Sequence, residues 1–519
     1  MPPRASARML WVPAILILGL VLQIVGLHDR CLNTDEVFTA LLARSGDYRA
    51  LAADVHPPLY PALLALLIRA GVPEIGWRFL SALWWLGAAL GAYFLGRRLA
   101  GERVGLIALA LLATSPQGLL VGSLVRSYAL AACLGSWILY LVVRVFEEPT
   151  RRRMLGLTVL AALGGYTFYY FFSLIAAIAV GSILFRRTRR PGATALGKAM
   201  MAAVGLLIPG LALAYFQARA GLGQGWEIWS PAPDRLIRRV AQILAAAGGA
   251  DGIDPAIRAI GPAIAGAAAT AAVYLLFAVG VWRLRRETER APAAMLLVAV
   301  IGGTIALALT AHFALGSFIA IHYFAILSGG VAVVLAAAFA PARRQWAVGL
   351  ALAVVVANLF GAPAAWREGR EDLCAASRWI DGRLGEAGVV LGVAWFAVDG
   401  YRWYGRGRPS LGVPDDVRPP AATAMVRARP GIAGEKDMAA LLPRLTNCRA
   451  AALLLTHTGW RGVDRGAALV AQTLRQAGFA AVEDRSWPPG DEPAPVRVVL
   501  YRRPETTVIE NGASCGFVP

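Results

Sequence analysis

The 519 residues are 58% hydrophobic and 16% charged, with 51 Lys and Arg against 32 Asp and Glu for a formal net charge of +19. A charged fraction well under the roughly 25% of soluble domains, with a mean hydropathy of +0.58, excludes an ordinary soluble protein and indicates a polytopic membrane protein. The excess Arg sits in short runs between apolar segments (Arg97-Arg98, Arg151-Arg152-Arg153, Arg186-Arg187, Arg189-Arg190, Arg285-Arg286, Arg343-Arg344). That is the positive-inside pattern of cytoplasmic loops, so the charge reports topology and speaks against a nucleic-acid partner.

In chain order, residues 1–8 carry Arg4 and Arg8, and 9–27 form a long apolar segment with no small-x-small cleavage site after it. This predicts an uncleaved first helix with a cytoplasmic N-terminus. The loop at 28–76 is then outside. Within it Val37, Leu41, Tyr48 and Leu51 share a helical face, which suggests a segment lying in the interface, although Arg44 falls on that face and Gly46 interrupts it. Further spans are predicted at 77–96, 104–121, 127–143, 154–168, 170–185, 199–217, 260–282, 292–311, 319–340 and 346–363. With the first they make about eleven, and an odd number places the C-terminus outside.

Between the basic runs at 151–153 and 186–187 two short helices must turn near 164–170. Each arm reaches only about 24 Å, so the turn, with Tyr166, Tyr169 and Tyr170, sits below the outer surface. Backbone there is tolerable only against protein or a wet cavity. The second long outer loop, 218–259, contains Glu227 and is long enough to lid a site facing the first loop. After 363 the composition changes. A polar helix at 367–384, strands at 389–395, 450–455 and 496–501, and an amphipathic helix at 463–476 predict a small extracytoplasmic α/β domain over 364–519. No internal repeat is evident, which weakens a transporter built from duplicated halves.

Five cysteines (Cys31, Cys133, Cys374, Cys448, Cys515) show no CxxC or zinc-ligand spacing. One disulfide among the three C-terminal ones and unpaired thiols are equally open.

The chemistry-bearing residues gather at the predicted outer face. Asp35-Glu36 follows the first span; a carboxylate there can deprotonate an acceptor, or the pair can simply open a helix capped by Thr34 or Asp35. His56-Pro57-Pro58-Leu59-Tyr60 is a stiff turn with an imidazole that can bind a metal beside a carboxylate, contact phosphate, or cap. Arg126, opening the fourth span with Ser127 and Tyr128, stands on the side where basic residues are rare; phosphate binding and snorkelling both explain it. Tyr169, Tyr170, His322, Tyr323 and Glu227 read either as interfacial and loop residues or as cavity lining. Convergence on one membrane face is the stronger sign of a site.

The acidic pair, the HPPLY turn and the Arg-x-Tyr-Ala-Leu start of the fourth span resemble the GT-C membrane glycosyltransferases. More narrowly, they are similar to the bacterial relatives of protein O-mannosyltransferases and aminoarabinose (lipid A) transferases. The resemblance covers about 9–363 and implies a GT-C-like catalytic domain over 1–363. It also implies a bacterial inner-membrane location and transfer of a sugar from a polyprenyl-phosphate donor to an extracytoplasmic acceptor. It makes Asp35 the catalytic acid residue of the first loop and Glu36 its companion. Arg126, with His322 and Tyr323, would bind donor phosphate, and His56, Tyr60, Tyr128, Tyr169, Tyr170 and Glu227 would bind substrate. A divalent metal, held by Asp35 and His56, is a further expectation. Two departures matter: Val125 where relatives often have an acid, and His322-Tyr323 where they often have Arg-Tyr. His322 replaces that charge only when protonated, which would make donor affinity pH-dependent. The competing classes are a lipid-linked sugar flippase, which predicts polar residues at mid-membrane where only a few such as Gln23 and Asn358 stand, and a non-catalytic membrane scaffold.

Overall fold

The computed structural model describes residues 10–27, 31–45, 56–188, 191–221, 232–260, 265–286, 288–315, 319–339, 344–367, 371–385, 387–393, 395–413, 435–456, 461–487 and 496–504. Glu227, Cys515 and the 46–55 part of the first loop lie outside these residues. The chain divides into two compact units: Met1–His28 with Asp54–Glu368, and Asp29–Ala53 with Gly369–Pro519. The grouping of 29–53 with the C-terminal residues is one that a linear boundary at 363 does not anticipate.

The first unit is helical, as apolar stretches must be if their backbone groups are to be satisfied without water. Among the described residues six helices are long and apolar enough to cross a membrane: Glu74–Ala100, Tyr128–Glu147, Pro191–Tyr215, Ala265–Arg286, Ala291–Ala314 and Gly349–Arg367. Each of the eleven expected segments falls on a helix, but several are short or broken. Residues 104–121 form a pair, Glu102–Thr114 and Pro116–Ser123, bent by 59°. Pro116 removes a backbone donor, and Ser115 caps the second half by accepting from the Gly118 amide. Residues 319–340 begin as a 3-10 turn over Ile321–Leu327 before the helix Ser328–Ala337. Two stretches assigned to loops are partly helical. Leu59–Arg69 lies within the first loop region, and Pro233–Gly248 and Ile253–Ile260 lie within 218–259. The second region is amphipathic: Ile243, Leu244 and Ala247 recur at helical spacing and are buried.

A knot of polar side chains holds the break. Asp251 accepts from the Ser115 hydroxyl at 2.9 Å and from the Gln117 amide. Asn358 donates to Thr114 Oγ1 at 3.2 Å and to the Gly249 carbonyl at 2.8 Å, and accepts from the Gly252 amide at 3.2 Å. Gln23 donates to the Gly118 carbonyl at 2.9 Å. Both mid-span polar residues noted in the sequence therefore serve the bend. Elsewhere in this unit, at the end of the helix Tyr128–Glu147, Glu147 pairs with Arg98 at 2.7 Å and with Arg290 at 3.0 Å.

The second unit carries a five-stranded sheet of order β2-β1-β3-β5-β4. Its strands are β1 Gly388–Val393, β2 Ser410–Val413, β3 Ala450–Thr456, β4 Ala480–Trp487 and β5 Val496–Arg502. β2, β1 and β3 run parallel, while β5 is antiparallel to β3 and to β4. The three strands predicted from apolar runs are β1, β3 and β5; β1 and β3 are buried throughout, and β5 exposes only Arg497 and Arg502. β2 is only four residues long, and β4 is an exposed edge whose Glu483-Asp484-Arg485 hides the strand signal. The helices Leu373–Arg383 and Arg461–Gln476 appear near their predicted places. Tyr401, fully buried on the helix Trp395–Tyr404, donates to Asp381 at 2.6 Å. Burial, then that carboxylate, push its hydroxyl well above the usual tyrosine range.

The helix Tyr128–Glu147 accepts the 3-10 turn because Gly135 has no side chain: a Cβ there would collide with the Ile326 carbonyl. Gly135→Val should therefore cost about 1–3 kcal/mol by overpacking, read as a lower thermal midpoint in detergent. An unchanged midpoint would contradict this close approach.

Candidate active site

Most of the sequence-predicted residues of the first unit meet around Arg126. The short helix Pro116–Ser123 stops at Leu124, which is extended (φ −87°, ψ 137°), and the next helix starts at Tyr128. Arg126 lies in the connection and is only 6% exposed. Its Nη2 is 2.9 Å from His56 Nε2, and its guanidinium sits 5.9 Å from the Tyr128 ring centroid, a cation–π contact. A guanidinium has only donors, so the His56 Nε2 lone pair must accept, which leaves that ring's proton on Nδ1.

An aromatic wall continues from Tyr128. Its ring lies 4.5 Å from His322, 5.7 Å from Tyr323 and 5.7 Å from Phe168. Tyr323 in turn lies 5.1 Å from Phe168 and 5.2 Å from Tyr170, and Phe168 stacks on Tyr170 at 5.4 Å. Four distant stretches thus contribute: the HPP turn, the connection at 124–127, the turn at 168–170 and the 3-10 segment at 321–327. Donors of positive charge beside apolar ring faces suit an anion that carries an apolar chain. Tyr60 packs edge-on against Trp84 at 6.0 Å, and Tyr169 stacks on Phe172 at 5.7 Å.

The sequence reading missed Arg78 and Phe168. Arg78 is 1% exposed inside the Glu74–Ala100 helix and donates to the Ser123 carbonyl at 2.6 Å. A cation on the last turn of Pro116–Ser123 complements that helix end and fixes where the Arg126 connection begins. An ionisable residue within an apolar span was the available signal.

Asp35 and Glu36 belong to the second unit, on the helix Thr34–Ser45. They face differently. Glu36 is fully buried and accepts from the Asn33 amide at 2.7 Å, while the Glu36 amide donates to Asn33 Oδ1 at 2.9 Å. That reciprocal pair is a capping box, with Asn33 as the cap rather than Thr34 or Asp35. Asp35 is exposed. The helix buries Val37, Ala40 and Ala43 and packs on Trp395–Tyr404, so protein rather than a lipid interface covers its apolar face.

Cys31 and Cys374 form a disulfide, and Cys448 is also disulfide-bonded. Among the described residues the one cluster of three metal-type ligands is Cys31, Asp372 and Cys374. Its two sulfurs are already bonded to each other, so it offers one carboxylate and does not fit a metal. The expected ligands Asp35 and His56 fall in different units.

The family model of dolichyl-phosphate-mannose-protein mannosyltransferases matches residues 55–213, the stretch that holds His56, Arg126, Tyr128, Tyr169 and Tyr170. Among solved structures, apo ArnT from Cupriavidus metallidurans matches with a TM-score of 0.62 at 14% identity, covering 95% of this chain and 98% of that one. The same protein bound to undecaprenyl phosphate gives 0.58 at 14% identity, with 96% and 98% covered. The oligosaccharyltransferase of Archaeoglobus fulgidus in complex with zinc and sulfate gives 0.52 at 13% identity, with 85% and 67% covered. No curated protein matches the chain in sequence. The resemblance carried by the first-loop and fourth-helix motifs is thus matched by a GT-C fold.

Cys31 and Cys374 should resist alkylation in the unfolded, unreduced protein and react after reduction, whereas free Cys133 should react on unfolding alone. Peptide mass spectrometry reads both; alkylation of Cys31 without reductant would remove the disulfide.

Proposed function

From a chain that folds as the GT-C glycosyltransferases fold, we propose a glycosyltransferase that moves a sugar from a polyprenyl-phosphate donor to an extracytoplasmic acceptor. The observation that carries this reading is the buried Arg126 with His56 on one side and the aromatic wall of Tyr128, His322 and Tyr323 on the other. A phosphate fits the guanidinium, and a polyprenyl chain fits the apolar surroundings. ArnT has been captured with undecaprenyl phosphate, and the archaeal oligosaccharyltransferase AglB with a dolichol-phosphate, both polyprenyl-type lipid phosphates without a sugar.

One helix supports a site on the outer side of the membrane. Tyr128–Glu147 has 20 residues, about 30 Å at 1.5 Å per residue. Arg126 and Tyr128 stand at its start, and the Arg98–Glu147–Arg290 network at its end. The positive-inside rule favours a cytoplasmic basic end and an aromatic site on the outer side; a bacterial inner membrane, with the N-terminus inside and the C-terminal unit outside, completes this reading.

The chemistry is a single inverting displacement. Asp35 takes the proton of an acceptor hydroxyl or amine, the acceptor atom bonds to the anomeric carbon, and the carbon–oxygen bond to the lipid phosphate breaks. Arg126, with His322 or a divalent metal beside it, stabilises the departing phosphate. A flippase reading is the weaker one, because Gln23 and Asn358 are bonded into the knot at the broken helix.

Asp35→Asn should lower transfer from a radiolabelled polyprenyl-phosphate sugar by about 100-fold or more at an unchanged thermal midpoint; near-normal turnover would sink the assignment. Arg126→Ala should weaken polyprenyl-phosphate binding by about tenfold or more, the worth of a lost charge-assisted hydrogen bond. Equal affinity in a titration would remove Arg126 from the donor site.

A further inference from the structure

Three consecutive backbone amides lead into Asp35, and a side chain holds each of them. The Leu32 amide donates to Tyr404 Oη at 2.8 Å, the Asn33 amide to Glu36, and the Thr34 amide to Glu371 Oε2 at 2.7 Å. The Thr34 hydroxyl donates to the same Glu371 oxygen. One residue before this run, Cys31 is bonded to Cys374, 343 positions away in sequence. At the other end of the helix, Arg44 sits over the Trp403 ring at 5.6 Å.

Ordinary helix starts leave such amides to water or to one cap. Here the anchors come from both ends of the chain, yet the residue they lead to is itself exposed. Stability alone does not require so many anchors on a 12-residue helix. A reacting group does require them, because a misplacement of about 1 Å costs on the order of 100-fold in rate.

We infer that Glu371, with Tyr404 and the Cys31–Cys374 disulfide, is a positioning residue for Asp35, so that the C-terminal unit is part of the transferase machinery. This rests on the proposed role of Asp35. In this role Glu371 acts through the helix start that precedes Asp35. It fixes the first turn of the helix, and with it the direction in which the Asp35 carboxylate points. Since one Glu371 oxygen takes both Thr34 donors, an amide oxygen at that place can do the same. The geometry, rather than the charge, is what Glu371 supplies.

The test uses the full-length protein in detergent or nanodiscs, with transfer from a polyprenyl-phosphate sugar and binding of the unglycosylated polyprenyl phosphate measured separately. Glu371→Ala should lower kcat by about tenfold or more while affinity for the lipid phosphate stays within about twofold of the parent. Glu371→Gln should recover most of the rate. Tyr404→Phe, and a double variant Cys31→Ser with Cys374→Ser, should lower kcat in the same selective way. A kcat for Glu371→Ala within about twofold of the parent, or kcat and lipid-phosphate affinity falling together, would overturn the positioning role. So would a Glu371→Gln variant as impaired as Glu371→Ala. Hydrogen exchange at Leu32, Asn33 and Thr34 separates this inference from the catalytic one. If Asp35→Asn proves active, the catalytic reading fails, while faster exchange in Glu371→Ala still reports the anchor; unchanged exchange overturns it.

Discussion

A helix that stops inside an apolar bundle leaves amides and carbonyls without partners, and the break at Ser115-Pro116 is where this protein meets that constraint. Asp251 takes up Ser115 and the amide that follows Pro116, Asn358 bridges Thr114 to the turn at 249–252, and Gln23 holds the Gly118 carbonyl. Burying these polar groups is tolerable because each named contact is a hydrogen bond. The bend then lets the chain end a short helix early, at Ser123, where Arg78 takes the last carbonyl and Arg126 meets the Tyr128 ring. Polar residues inside spans are here a device for shaping backbone.

The same helical unit separates its charges by end. Glu147 with Arg98 and Arg290 closes one end of the Tyr128–Glu147 helix, and Arg126 with His56 and His322 marks the other. Held about a bilayer's hydrocarbon thickness apart by the rigid rise of the helix, the two groups meet different conditions. One is a network of compensated ions. The other pairs a cation with an imidazole and the face of a tyrosine ring.

In the second unit the acids of the first loop divide their work. Glu36 closes the capping box with Asn33, which accounts for its burial, and Asp35 is left facing out beside it. Two neighbouring carboxylates of identical charge thus have different surroundings, decided by the 100° step between consecutive helical residues. Glu371, Tyr404 and Cys374 hold the same turn from the far end of the chain.

Local signals were legible in the sequence. Long apolar runs with basic ends gave the membrane helices, and the apolar strands β1, β3 and β5 stood out because both faces are buried. Arg126, His56, Tyr128, Tyr170 and His322 stood out in the sequence as cations and aromatics near predicted span edges, and the structure brings Arg126 to His56 and Tyr128 to His322. What stayed hidden depends on partners far along the chain. β4 is a charged edge strand, Arg78 looked like part of a span, and residues 233–260 resembled a loop until their apolar face had something to pack on. Cys31 could have paired with any of four other cysteines. Its bond to Cys374, like the contact of Arg126 with His56, is fixed only when the folded backbone brings residues that composition and periodicity treat as unrelated within bonding distance. Periodicity and charge act over a few residues, while pairing acts through space, and only the tertiary structure supplies that second kind of information.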